Sequence, residues 1–225
     1  MIWNLDEFKQ RHDPVIVGAL ALDEPIFLQD HFALGILDMP IRVPGSAYRL
    51  PDIIARAWPV VKVCDSHAAD RGGDDRFCYL TVDQRLVKAG TTHRYAGCHV
   101  DGFQGARIDP KVEADFSYVV ADALPTVFYR QAWDVGGLDV AHDNFFRAFD
   151  EQARPDAAWR ARPGEVVYCD AWCVHRADVA PIDMVRTFVR LSYSVREFDR
   201  IGNHVNPLFG RMWQYVSRDA PKGLR

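Results

Sequence analysis

Between residues 77 and 195 the chain is a run of short segments rich in β-branched and aromatic side chains, cut by turn residues, and this limits its fold more than any other feature. Segment 77–87 reads FCYLTVDQRLV and stops at Gly90. Segments 116–120 and 126–131 flank a turn at Asp122-Ala123-Leu124-Pro125. Pro163-Gly164 turns into segment 165–170, and 185–195 is the last clear strand. One short amphipathic helix is expected over 142–152, where Phe145, Phe146 and Phe149 share a face. Ahead of the strands, residues 51–71 place Ile53, Ile54, Ala57, Val60, Val61 and Cys64 at helical spacing. Pro59 kinks or divides that element, and Gly72-Gly73-Asp74-Asp75 ends it. Helices followed by many short strands predict a mainly β protein with flanking helices, an antiparallel sandwich or jelly roll.

A chain of 225 residues is long enough for one sizeable core and not clearly for two. The expected organisation is a single domain, 1–225, with a mostly helical part over 1–75, a β core over 76–196 and a C-terminal extension over 197–225. Hydrophobic residues make up 48% and charged residues 26%, which argues against disorder. Lys and Arg total 27 against 31 Asp and Glu, for a formal net charge of −4, and the cations are scattered among acids. That disfavours a nucleic-acid partner, which calls for a basic surplus or stripe, and leaves small-molecule substrates open. The five cysteines, Cys64, Cys78, Cys98, Cys169 and Cys173, contain no CxxC pair; reduced thiols and a cytoplasmic setting are expected. The acidic start of the sequence does not read as a signal peptide, and the apolar stretch 15–22 is too short to span a bilayer. Oligomeric state is not legible.

Two histidines and an aspartate then raise the question of a metal. Cys98-His99-Val100-Asp101-Gly102 holds an H-x-D pair, and on a strand positions 99 and 101 point to the same side. H-x-D alone is weak; a surface histidine and a turn aspartate would look the same. The stronger signal is the run from Pro163 to His175, PGEVVYCDAWCVH: a turn, an apolar strand, an acid, and a histidine five residues later. This run resembles the segment that carries the distal metal ligand in the Fe(II)/2-oxoglutarate-dependent oxygenase superfamily. The resemblance covers about 77–195; the first seventy or so residues match no motif. It implies a double-stranded β-helix fold, proximal ligands His99 and Asp101, and distal ligand His175. Two imidazoles and a carboxylate on one face of an octahedron leave positions open for a cosubstrate and O₂.

The strand after that histidine alternates cleanly. Val185, Thr187, Val189, Leu191, Tyr193 and Val195 take one face; Arg186, Phe188, Arg190, Ser192 and Ser194 take the other. That second face either meets water or lines a cavity able to hold a dianion. In the superfamily a basic residue on this strand binds the far carboxylate of 2-oxoglutarate, and Arg186 stands at the matching spacing. Arg190 is then assigned to substrate or to the inner carboxylate; Arg190 with Ser192 also resembles the R-x-S clamp of another branch. The resemblance implies Fe(II), 2-oxoglutarate and O₂ as cofactor and cosubstrates, no catalytic side chain beyond the metal ligands, and hydroxylation of a small molecule as the default outcome. Halogenation is disfavoured because Asp101 occupies the place a small residue takes in related halogenases.

Three other activities use parts of the same pattern. A cupin-like dioxygenase or isomerase has no need of cavity arginines, a non-catalytic binding domain has no need of an intact triad, and a nucleobase-directed oxygenase calls for a basic stripe. His12, His31, His67, His142 and His204 read as surface or capping residues. His93 and Arg94 either line the site or face solvent, and Trp172 and Phe103 either wall a pocket or belong to the core.

Overall fold

The computed structural model describes residues 4–28, 34–101, 115–139 and 142–215. The elements in chain order are β1 (Val15–Ala19), β2 (Leu34–Arg42), α1 (Trp58–Ala69), β3 (Phe77–Val87), β4 (Phe116–Ala121), β5 (Val127–Tyr129), α2 (Phe145–Gln152), β6 (Ala158–Arg160), β7 (Glu165–Asp170), β8 (His175–Arg176) and β9 (Met184–Ser194). They form a six-stranded sheet in the order β1-β7-β4-β9-β3-β2 and a three-stranded sheet in the order β6-β5-β8. Every pairing is antiparallel. This is the jelly-roll architecture expected from the strand-rich pattern.

The backbone of the large sheet is the β3–β9 pair, which runs without a register shift from Phe77↔Ser194 to Val87↔Met184. Alternation along β9 divides the molecule into layers. Val189, Leu191 and Tyr193 join the main apolar cluster with Val60, Val61 and Cys64 of α1 and with Cys78, Leu80 and Val82 of β3. On the opposite face Phe188 packs with Val119, Phe128, Val167, Cys169 and Cys173, so the two sheets face each other across a second apolar layer. The polar side chains of β9 project into that inter-sheet space.

The stretch 1–75 holds both helix and strand. Helix is present there, with a 3₁₀ turn over Asp52–Ala57 leading into α1. Pro59 sits in the first turn of α1, where a missing N–H costs nothing, so it divides the element and does not kink it. But β1 and β2 form the two outer edges of the large sheet. β2 escapes a pattern search because it is irregular: its register against β3 shifts between Ile36 and Met39 and again between Pro40 and Arg42, and Asp38 has a positive φ of 44°. Bulges and a proline are tolerated on an edge strand, where they also discourage pairing with another chain. β6 and β8 are too short to show a period. The C-terminal extension packs along β2: His204 and Leu37 exchange bonds, Leu37 N donating to His204 Nδ1 at 3.0 Å and His204 N to Leu37 O at 2.8 Å. Among the described residues no helix is long and apolar enough to cross a membrane.

Candidate metal centre

The small sheet assembles the site through its backbone. Beyond β8, His99 and His175 form an isolated antiparallel bridge, each amide donating to the other's carbonyl at 2.9 Å. Directly opposed residues of such a pair carry their side chains on one face, and the two imidazole centroids lie 4.5 Å apart. Asp101, two residues on, turns the same way. One ligand atom from each of His99, Asp101 and His175 falls within 4.8 Å of the others. The three residues singled out in the sequence are brought together.

Each histidine is held in one tautomer. His99 Nδ1 lies 2.8 Å from Gly97 O and His175 Nδ1 lies 3.0 Å from Cys173 O. A carbonyl only accepts, so both Nδ1 atoms carry a proton and Nε2 is the nitrogen left on each ring to bind a metal. This is the outer-shell arrangement that orients metal-binding imidazoles. Burial, helped by the neighbouring His175, pushes His99 down to about 3 against the opposing pull of Asp101, so its ring is neutral. For Asp101 burial acts upward, but the Arg190 guanidinium outweighs it and holds the carboxyl down to about 2. Asp101 Oδ2 is buried without a hydrogen-bond partner among the described residues. Two imidazole nitrogens and a carboxylate with an unpartnered oxygen lie within 4.8 Å of one another, a donor set that fits a divalent transition metal.

Arg190 supports this end. Its Nη1 donates to Asp101 Oδ1 at 2.5 Å and its Nη2 to Asp38 Oδ1 at 3.0 Å. Both terminal nitrogens of Arg190 are thus engaged by carboxylates, while its Nε is buried without a hydrogen-bond partner among the described residues. Asp38 went unnoticed in the sequence since its strand was not legible; the positive φ that disguises β2 is the bulge that turns this carboxylate inward.

Arg186 lies on the same face of β9 four residues away and is only 2% exposed. Its Nε donates to Ala123 O at 2.9 Å and Leu124 O at 3.0 Å, and its Nη1 donates to His93 Nδ1 at 2.8 Å. The turn at 122–125 is therefore a cradle, with Leu124 at a positive φ of 45°. Since the guanidinium must donate, His93 accepts on Nδ1 and carries its proton on Nε2, which lies 3.2 Å from Asp83 Oδ1. Nη2 of Arg186 has no hydrogen-bond partner among the described residues. Burial lowers Arg186 to about 10, with Asp122 opposing, so it remains a cation at neutral pH.

A cavity of about 850 Å³ joins the two ends, lined by the triad, Arg186, Arg190 and Ser192, with Arg94, Tyr95 and Phe146 on the far wall. The rings of Tyr95 and Phe146 lie 5.4 and 5.8 Å from that of His99. Of the sequence alternatives, His93 and Arg94 line the site. Trp172 does not: it packs in a separate apolar cluster, with its indole N–H donating to Asn4 O at 3.2 Å and its ring 5.7 Å from His12. Phe103, Gly102 and His31 lie outside the described residues. His12 binds Asp170 and His67 binds Tyr118, both at 2.7 Å, while His142 sits exposed beside Asp139.

No family model and no curated protein matches the sequence. The fold does match solved structures. HygX from Streptomyces hygroscopicus, with nickel and 2-oxoglutarate bound, aligns over 98% of this chain and 97% of its own at 9% identity and a TM-score of 0.50. AviO1 from Streptomyces viridochromogenes Tue57 aligns over 84% and 92% at 12% identity and a TM-score of 0.46. An oxidoreductase of the 2OG-Fe(II) oxygenase family from Burkholderia pseudomallei aligns over 73% and 68% at 14% identity and a TM-score of 0.40. The chain has the jelly-roll fold of the HygX structure, the double-stranded β-helix that the sequence resemblance implied.

Proposed function

We propose that the protein is an Fe(II)- and 2-oxoglutarate-dependent oxygenase that hydroxylates a small molecule. The observation that carries this reading is a single cavity holding two tautomer-fixed imidazoles and a carboxylate at one end and a buried, cradled arginine at the other. HygX, bound to nickel and 2-oxoglutarate in the same fold, supports it. His99, Asp101 and His175 would hold the metal, and Arg186 would pair with the far carboxylate of the keto acid. With both bound, the chemistry supplied is oxidative decarboxylation of 2-oxoglutarate by O₂, coupled to oxidation of a substrate C–H bond.

This chain's residues orient the parts. Arg190 fixes Oδ1 of Asp101, which lies 3.8 Å from His175 Nε2, and so holds the carboxylate beside the imidazoles. Ala123 O and Leu124 O share the Nε–H of Arg186 and His93 takes an N–H of Nη1, which leaves Nη2 as the donor to a carboxylate; a guanidinium held in place loses little freedom on binding. A cupin-like enzyme that does not use 2-oxoglutarate gives no reason for that cradle. The same proposal takes 1–225 as one domain, because a single apolar cluster draws on residues from Leu20 to Tyr193. A cytoplasmic setting is part of it, supported by five free, buried thiols.

Anaerobic titration with Fe(II) and 2-oxoglutarate tests the proposal. A weak visible charge-transfer band is expected in the native protein and not in His175→Ala. Iron binding without a band would point to cupin-like chemistry, and no iron binding would sink the metal assignment.

A further inference from the structure

The charges around the cavity do not match, and the mismatch has a location. Among the described residues Arg94, Arg186, Arg190 and the half-exposed Arg85 line the cavity together with Asp38, Asp83 and Asp101. Arg176 also borders it, but its guanidinium lies over the ring of Tyr129, 5.7 Å away and beside a separate hollow, and Arg200 is exposed at the rim. If Asp101 and the inner carboxylate of the keto acid neutralise the divalent metal, Asp38, Asp83 and the far carboxylate remain to face four guanidinium groups. Asp38 is taken by Arg190 and the far carboxylate by Arg186. Asp83 is left to serve both Arg85 and Arg94.

Asp83 serves them unequally. Arg85 engages it through two nitrogens, Nε reaching Oδ1 at 2.8 Å and Nη2 reaching Oδ2. Arg94 reaches Oδ2 only through Nη1, at 3.3 Å. Among the described residues Arg94 is thus the cavity arginine with the weakest counter-charge, although its side chain is only 30% exposed. It is also fixed in place. Thr92 Oγ1 donates to its carbonyl at 2.7 Å, and its guanidinium lies 5.1 Å over the ring of Phe188. Burial, then the positive charge of Arg190, lowers its affinity for a proton, the direction expected where cations outnumber anions. Next in the chain, Tyr95 stands 54% exposed, its ring 5.6 Å from Phe146, and the two flank His99. An arginine short of an anion therefore adjoins an aromatic wall at the metal.

We propose that the substrate is itself an anion, whose carboxylate or phosphate group is bound by Arg94 while its body lies against Tyr95 and Phe146 beside His99. The inference rests on the oxygenase reading, which gives Arg186 to the keto acid and leaves Arg94 as the cavity arginine without a ligand. It assigns Arg94 a different ligand from Arg186: loss of Arg94 affects substrate, and loss of Arg186 affects cosubstrate. Arginine provides a planar fork for either oxyanion, and the aromatic faces select for an unsaturated or alicyclic body over a highly hydrated one.

The test uses the whole chain. The Fe(II)/2-oxoglutarate band is recorded first; its absence would overturn the oxygenase reading, whatever anions do. The Ni(II)- and 2-oxoglutarate-loaded protein is then titrated separately with acetate and with inorganic phosphate, each followed by the shift in thermal unfolding. Saturable stabilisation is expected, with the anion that saturates at lower concentration naming the group. Arg94→Gln should raise the half-saturating concentration by about tenfold or more, as loss of a charge-assisted contact does, and Arg94→Lys should keep most of the affinity. The 2-oxoglutarate titration of Arg94→Gln should move less than about twofold, since Arg186 keeps its own partners. Failure of both anions to saturate, or equal binding by Arg94→Gln, would overturn the proposal. So would a large loss of 2-oxoglutarate affinity in Arg94→Gln, which would place Arg94 in the cosubstrate clamp.

Discussion

Arg190 and Arg186 share one strand and one face, four residues apart, yet their surroundings are opposite. Arg190 is surrounded by charge of the other sign, with Asp38 and Asp101 both bonded to it. Arg186 is surrounded by neutral acceptors, two carbonyls and an imidazole. An arginine already bonded to two carboxylates is part of the scaffold; an arginine held by neutral groups keeps its full charge for a ligand. Identical residue types on the same face thus divide into a support and a receptor, and the difference lies in what neighbouring strands and turns present to them.

The largest expected effect tests the support end. His175→Ala should weaken Ni(II) binding by at least about 100-fold in calorimetry, more than losses of outer-shell partners usually cause. Arg190→Gln should destabilise the metal-free protein by about 3 kcal/mol, because two carboxylates lose their shared cation. That is the lower end for buried pairs, as the side chains keep 10–14% exposure. Chemical denaturation measures it, and Ni(II) should restore more stability to the variant than it adds to the native protein. An Arg190→Gln protein of unchanged stability would erase the contrast.

The receptor end should respond in ligand affinity. Arg186→Gln should raise half-saturating 2-oxoglutarate by roughly 10- to 100-fold, with Ni(II) affinity unchanged. His93→Leu removes the acceptor for Arg186 Nη1 and should raise it by about three- to tenfold, while His93→Asn, which keeps an acceptor near Nδ1, should lie close to native. The smallest effect is a slope with pH. His93 is lowered from its ordinary 6.5, by burial first and by Arg186 against the pull of Asp83. A depressed histidine contributes fully above 6.5, and its contribution is lost as pH falls through its folded value. Protonation would also set a cation against Arg186. Cosubstrate affinity at saturating Ni(II) should therefore decline below pH 6.5, and less so in His93→Asn.

Much of this contrast was visible in the sequence, but only from one side. β3 and β7 announce themselves by β-branched and aromatic content between turns, and β9 by alternation, which gives the positions of Arg186 and Arg190. His99 and Asp101 stood out as an H-x-D pair, and His175 through the resemblance of 163–175 to a distal-ligand segment. The partners were not. Asp38 belongs to a bulged edge strand containing Pro40, whose pattern follows no single period. His93 lies in a connection without regular structure, and the carbonyls of Ala123 and Leu124 are backbone groups that any sequence possesses. Side-chain alternation shows which residues share a face; what opposes them depends on sheet packing and turn conformation, which alternation does not encode.

The mutual amide bonds between His99 and His175 have a consequence for how the centre comes into being. These residues join distant parts of the chain through two hydrogen bonds at the rim of a sheet whose own strands are two and three residues long. An ion gripped by both imidazoles would clasp that seam from the side-chain direction, so loading and closure are one event seen by two probes. Deuterium uptake at the two amides then works as a clock: both should exchange together, at one rate set by opening of the seam, and both should slow in parallel as Ni(II) is added.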